Sequence, residues 1–259
     1  MNFREILVAL STALFFVQTL AAAELPQPAA SAPAKPEEKA DEQLINELFV
    51  GEKIYLQDKG EFVLVLSPSF SKGSSGNETE LSAEVKYGLT SRLQISAEFP
   101  YVFTDPKDDK QHDGIGDMSC AVNYNFLQKD EFALGARLEL VIPTGNERRD
   151  LGGGELVLAP SLLASVRVGK GEIYAGVGGE FGEHGDAFTY SIAGAYPWER
   201  FVGVLELTGV TGDHEDTLYV APGVYWHINE KIDLGVGVPI GLTHDSDDYR
   251  IVVKAIFEF

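Results

Sequence analysis

From Gly60 to Phe259 the chain repeats one device: about ten residues in which apolar side chains alternate with polar or small ones, then a break at Gly, Asp, Asn, Ser or Pro. Period two places successive side chains on opposite faces of an extended strand, whereas an amphipathic helix needs a period of 3.6. In 91–103 (SRLQISAEFPYVF), Leu93, Ile95, Ala97, Phe99, Tyr101 and Phe103 share one face, and Arg92, Gln94, Ser96 and Glu98 share the other. The same pattern runs through 60–70, 78–87, 118–126 and 132–142, and recurs near 154–168, 172–181, 187–197, 200–210, 217–228, 231–243 and 249–259. With 91–103 these make twelve strands.

A long antiparallel series suits either a soluble sandwich or barrel, with its apolar face inside, or an outer-membrane barrel, with its apolar face toward lipid. Three features favour the membrane barrel. Short connections (GLTS, LQKDE, GKG, PWER, INEK) alternate with longer polar ones at 71–77, 104–114, 143–153, 182–186, 211–216 and 244–248. Apolar-face aromatics gather at strand ends: Tyr87, Tyr124, Phe126, Phe132, Tyr196, Phe201, Trp226 and Phe257 near the short turns, and Tyr101, Phe103, Phe181, Phe188 and Tyr249 near the long loops. Two aromatic girdles are what a membrane barrel places at its interfaces. Finally, the terminal strand YRIVVKAIFEF carries Tyr249, Phe257 and Phe259 on one face, resembling the aromatic-ended strand by which barrel-assembly machinery recognises its clients. The expected fold is all-β: an antiparallel transmembrane β-barrel of about twelve strands over 60–259 in the bacterial outer membrane.

The N-terminus agrees with that destination. Residues 1–23, with Arg4, an apolar stretch over 6–20 and the ending Ala21-Ala22-Ala23, read as a cleaved signal peptide. Residues 24–43 are too rich in Pro, Ala and charge to bury a core and read as a disordered tail. Within 44–58, Leu44, Ile45 and Leu48 have roughly helical spacing, so a short helix, a plug inside the barrel or a loose lead-in are all open. The single cysteine, Cys120, excludes an intrachain disulfide and a thiolate metal cluster, and reads as a free thiol on the apolar face.

With 40 acidic and 20 basic residues, the net charge of −20 excludes nucleic acid as a partner. Inward candidates are Glu80, Glu84, Lys86, Arg92, Glu98, Arg137, Glu139, Glu180 and Glu206, a mixed set with acids in excess. Such a set either braces the wall as ion pairs or lines a water-filled, cation-favouring passage. Small inward residues late in the chain (Gly176, Gly178, Ser191, Ala193, Gly235, Gly237, Gly241) leave room for a solute or for residues 44–58.

Four histidines stand beside carboxylates in the longer loops: His112, His184, His214 and His244. Imidazole with carboxylate suits a divalent transition metal, while a solvated loop accounts for the same residues without one. The strand histidine His227 lies near a short turn, the wrong end for an outer-leaflet lipid hydrolase, so neither an enzyme nor a cofactor is expected. The sequence-level expectation is a passive channel or facilitator for small solutes. The alternative is a non-conducting structural or surface-binding barrel whose acidic outer loops take divalent cations. Expected partners are the lipid bilayer, the assembly machinery, small solutes, and divalent cations or lipopolysaccharide.

The segments DGIGDMSCAVNYNF (113–126), LVIPTGN (140–146), YPWERFVGVLELTG (196–209) and the terminal IFEF resemble the outer-membrane barrel family named after the MetA-pathway of phenol degradation. The resemblance spans roughly 60–259, rests on order and spacing, and implies passage of aromatic or other hydrophobic solutes across the outer membrane. It defines no site residues. Two departures stand out: the Pro-rich tail at 24–43, and an acidic rather than aromatic inward set.

Overall fold

The computed structural model describes residues 44–54, 56–107, 110–129, 131–212 and 216–259. The signal-peptide segment and the whole Pro-rich tail lie outside the described residues, as does His214. Among the described residues, fourteen strands form one closed antiparallel sheet. In chain order they are β1 (Phe62–Lys72), β2 (Gly76–Thr90), β3 (Leu93–Pro106), β4 (His112–Ile115), β5 (Met118–Lys129), β6 (Phe132–Ile142), β7 (Val157–Val168), β8 (Gly171–Phe181), β9 (Asp186–Trp198), β10 (Phe201–Gly212), β11 (Asp216–Asn229), β12 (Ile232–Gly237), β13 (Ile240–Gly241) and β14 (Tyr249–Glu258).

Two staves of the wall are broken, so fourteen strands make twelve staves. Strands β4 and β5 both pair with β3, and β12 and β13 both lie between β11 and β14. The second break falls at Val238-Pro239, where proline has no N–H to donate to the ladder. Pairing of β1 with β14 (Val63 with Glu258 through Lys72 with Tyr249) closes the barrel and leaves no free edge.

At one end the strands are joined by two-residue turns at 91–92, 169–170, 199–200 and 230–231, β5 and β6 are separated by two residues, and the chain termini of the barrel meet there. At the other end the connections run from 73–75 to the fourteen residues of 143–156. The loop contrast is smaller than the alternation suggests at 73–75 and 182–185, because strand pairing continues beyond the apolar band. Outward side chains are apolar: Leu81, Phe99, Leu162, Ile192 and Leu205 are all exposed. Cys120 is exposed on this same face. Aromatic pairs mark both rims, Phe62 with Phe259 and Phe201 with Trp226 at the short-turn end, and Tyr101 with Phe103 and Phe70 with Tyr249 at the loop end. A barrel with apolar exterior and aromatic rims is built for lipid around its waist.

The interior at the short-turn end is packed, with apolar side chains beside buried charged ones. Val63 and Val65 of β1, Val202 and Val204 of β10, and Val252 and Ile256 of β14 point inward and are buried with Ile45, Leu48 and Phe49. Residues 44–54 and 56–58 thus occupy the lumen there. They form bends rather than the short helix that the spacing of Leu44, Ile45 and Leu48 allows. Their backbone polar groups are met by wall side chains instead of an i→i−4 ladder, which removes the reason to be helical.

Candidate functional site

The inserted segment is held by every part of the wall it passes. At its start, Asn46 Nδ2 donates to Asp233 Oδ2 (2.9 Å) and to Glu258 Oε1 (2.5 Å). Glu47 lies 2.5 Å from Lys86 Nζ and 3.8 Å from Lys254 Nζ. Burial pushes its carboxyl up, but Lys86, Lys254 and Lys53 outweigh that and hold its pKa at about 2. Lys53 donates to Ile45 O at 3.1 Å within the segment, and its own burial brings its ammonium down to about 8 despite Glu47.

The chain then turns on Glu206 of β10. Its carboxylate accepts the backbone N–H groups of Phe49 (2.5 Å), Val50 (3.0 Å) and Gly51 (2.9 Å). Three converging donors satisfy an otherwise isolated buried anion and make the turn the most strongly anchored point of the segment. Phe49 stacks on Tyr225, and Glu52 reaches Arg137 of β6 at 3.5 Å. Ile54 packs with Ala133 and Leu163, and Gln57 N donates to Gln94 Oε1 at 2.9 Å.

Above this turn the lumen opens into a chamber of about 310 Å³, floored by Val50, Gly51 and Glu52. Arg137 and Glu139 stand on one side (Nη2 to Oε2, 3.2 Å), Glu180 and Ser191 on another, and Arg250 and Tyr219 toward the loop end. Arg250 is itself bound to Asp247 at 2.6 Å and lies over the Tyr219 ring at 5.1 Å.

Of the inward set expected from alternation, Lys86, Arg137 and Glu206 are buried and tie the segment to the wall. Glu139 and Glu180 line the chamber, while Glu80, Glu84 and Glu98 stand half-buried on β2 and β3. Glu84 and Glu98 are direct cross-strand partners, and Lys86 reaches Glu84 at 3.2 Å. Arg92 is a correction: it sits exposed in the turn 91–92, because the register shift between Gly88 and Thr90 ends the alternation there.

The loop histidines are spread over the loop end. His184 lies 3.3 Å from Glu155, His112 is on β4, and His244 is exposed. Among the described residues no three His, Cys, Asp or Glu side chains converge to hold a metal. His227 is hydrogen-bonded to Asp233 (2.7 Å) beside Asn46, at the short-turn end.

The inserted segment's seat is what alternation misses, yet it leaves a trace. The runs FVLVL (62–66), FVGVL (201–205) and RIVV (250–253) are apolar on both faces at some positions, which a wall between lipid and water does not need.

A family model described as MetA-pathway of phenol degradation matches residues 84–251, more than half of the chain. No curated protein matches the sequence. Among solved structures, the chain is similar to an outer membrane channel from Pseudomonas putida F1, with TM-score 0.63 and 16% identity over 80% of this chain and 98% of that one. It is also similar to the NanC porin (TM-score 0.55, 12% identity, 76% and 98% coverage) and to the KdgM porin (TM-score 0.54, 11% identity, 76% and 99%). At such identities the likeness is one of fold: these are outer-membrane barrels.

Proposed function

This chain belongs to the MetA-pathway of phenol degradation family, and from that premise we propose that it is a cation-favouring outer-membrane channel for small polar solutes, narrowed at its short-turn end by its own residues 44–58. The observation that carries the reading is the polar chamber that ends on the chain's own backbone at Val50–Glu52 rather than on the barrel wall. A barrel serving only as a scaffold has no need of such a space.

Cation preference follows from the wall of β2 and β3. Glu78, Glu80, Glu84 and Glu98 face inward there, with Lys86 the base beside Glu84. Carboxylates lining a water-filled lumen lower the energy of a passing cation and raise that of an anion. The family resemblance implies hydrophobic solutes, but Arg137, Glu139, Glu180 and Arg250 make a chamber in which an apolar molecule would strip water from charges. A porin-like role with no chemical step is the simplest fit to a lumen built this way.

The packed segment favours one second reading, a barrel that does not conduct. Planar-bilayer recording of the chain lacking residues 1–23, with a salt gradient, separates the two. Discrete steps with a cation-selective reversal potential support the channel. Silence in that protein and in the Phe49→Ala and Glu206→Gln variants, all folded by heat-modifiable gel migration, overturns it and leaves the non-conducting barrel.

A further inference from the structure

Opposite the carboxylate wall, the chamber is faced with hydroxyl groups. Ser161 of β7, Thr189 and Ser191 of β9, Thr208 of β10, and Thr217 and Tyr219 of β11 all line it. Four staves, β7 and β9 to β11, therefore present hydroxyl groups to it, with Gly176 and Glu180 of β8 between them. An added Cβ at Gly176 would meet Ser191 Oγ at 2.7 Å, so the bare backbone keeps that hydroxyl free to face the space.

Two lining groups are buried with hydrogen-bonding capacity left over. Thr208 is 7% exposed and its hydroxyl has no protein partner among the described residues. Arg137 is 6% exposed; its terminal nitrogens meet Asn123, Glu52 and Glu139, while its Nε–H meets none of the described residues. Buried polar atoms are ordinarily paired, and a donor and a hydroxyl left over in the same chamber mark where a ligand's oxygen atoms would be received.

The charges define that ligand. Arg137 is matched by Glu52 and Glu139, and Arg250 by Asp247, so neither guanidinium has a charge to spare for an anion. Paired Arg and Glu still offer directed donors and acceptors, which is what adjacent hydroxyl groups on a ring require. At about 310 Å³ the chamber lies at the small end of ligand pockets, which suits a single ring.

We propose that this chamber is a binding site for a small polyhydroxylated solute without negative charge, of monosaccharide size, held between the hydroxyl groups of β7 and β9 to β11 and the Arg137–Glu139 pair. The proposal rests on the channel reading for its physiological sense, but binding can be measured without conduction.

The test is equilibrium dialysis of the detergent-folded chain lacking residues 1–23 against labelled D-glucose, D-glucuronate and phenol. Glucose binding with glucuronate at least about tenfold weaker is the expected order, a difference of about 1.4 kcal/mol. Thr208→Val, which removes the hydroxyl at nearly constant shape, weakens glucose by about fivefold or more, while Ser191→Ala checks a second hydroxyl should Thr208→Val fail to fold. Equal affinity for glucuronate, binding of phenol alone, no saturable glucose binding, or full affinity in both variants each overturns the proposal. A protein that conducts but binds no sugar refutes this inference and leaves the channel. One that binds glucose but never conducts refutes the channel and leaves the site.

Discussion

The ring of Phe49 lies against the ring of Tyr225, with centroids 4.7 Å apart and planes 16° from parallel. The contact is possible because the wall beside it is bare. A Cβ on Gly223 or Gly237 would collide with the Phe49 ring, and one on Gly235 with the Tyr225 ring. Three glycines on β11 and β12 thus form the recess into which the inserted segment drops its aromatic side chain. A buried aromatic pair of this kind adds to the burial of two large rings.

Removing that ring loosens the seat. Phe49→Ala deletes a side chain only 5% exposed, at a cost of about 3–5 kcal/mol in packing. The expected result is higher single-channel conductance or more frequent open events, with the heat-modifiable barrel intact. Gly237→Val, which places branched carbons where the ring lies, has the same direction.

Glu206→Gln tests the anchor of the turn. The amide nitrogen of glutamine faces backbone N–H groups that the carboxylate now accepts from Phe49, Val50 and Gly51. Loss of charge-assisted bonds and the apposition of donors cost about 2–4 kcal/mol. Protease cleavage within 44–58 of the folded protein, negligible in the parent, becomes measurable in this variant.

Acid releases the segment. Because Glu47 is held at about 2 against an ordinary 4.5, the seated form takes up its proton less readily than the released form. Its contribution is therefore complete above about pH 4.5 and is lost as pH falls toward 2. Conductance rises on acidification through that window. Glu47→Gln already conducts more at neutral pH and shows a flatter acid response. Lys53, brought down by burial to about 8 against an ordinary 10.5, acts in the same sense in a different window, so raising pH from 8 toward 10.5 tightens the seat further.

Cys120 reports which side of the wall faces lipid. It is exposed on the outer face of β5, opposite Leu140 of β6. In vesicles, a bilayer-soluble maleimide labels it and a membrane-impermeant charged one does not. Equal labelling by both contradicts the assignment of the apolar face.

The last residue closes the barrel. Phe259 N donates to Phe62 O at 2.9 Å, Phe62 N donates back at 3.4 Å, and the two rings lie 5.8 Å apart. Deleting Phe259 removes this bond pair and the aromatic end of the terminal strand, and folding into vesicles slows several-fold with Tyr249 and Phe257 left in place. An unchanged folding rate separates the terminal aromatic from assembly.

The barrel is legible in the chain because a strand's side-chain direction is set by local geometry: residues two apart must share a face. From Ile95 to Phe103 that parity alone separates the lipid side from the inside, and the closed sheet of twelve staves keeps it, whereas Leu93 at the start of the strand is buried. Parity fails where the backbone slips. At Gly88/Thr90 the register shift takes Arg92 out of the wall and into a turn.

What lies inside the barrel is another matter, since residues 44–58 and their partners are joined by contacts spanning up to 212 positions. Nothing local to ELFVGEK says that Phe49, Val50 and Gly51 will share the carboxylate of Glu206, or that Glu47 will face Lys86. The small residues Gly235 and Gly237 and the doubly apolar run FVLVL leave space and grease for something, and closure of the sheet brings the segment to them. Side-chain alternation is a property of one strand at a time, whereas the filling of a lumen depends on all twelve staves at once. The sequence therefore carries the wall, and the folded chain alone shows how its interior is divided between a packed seat and an open chamber.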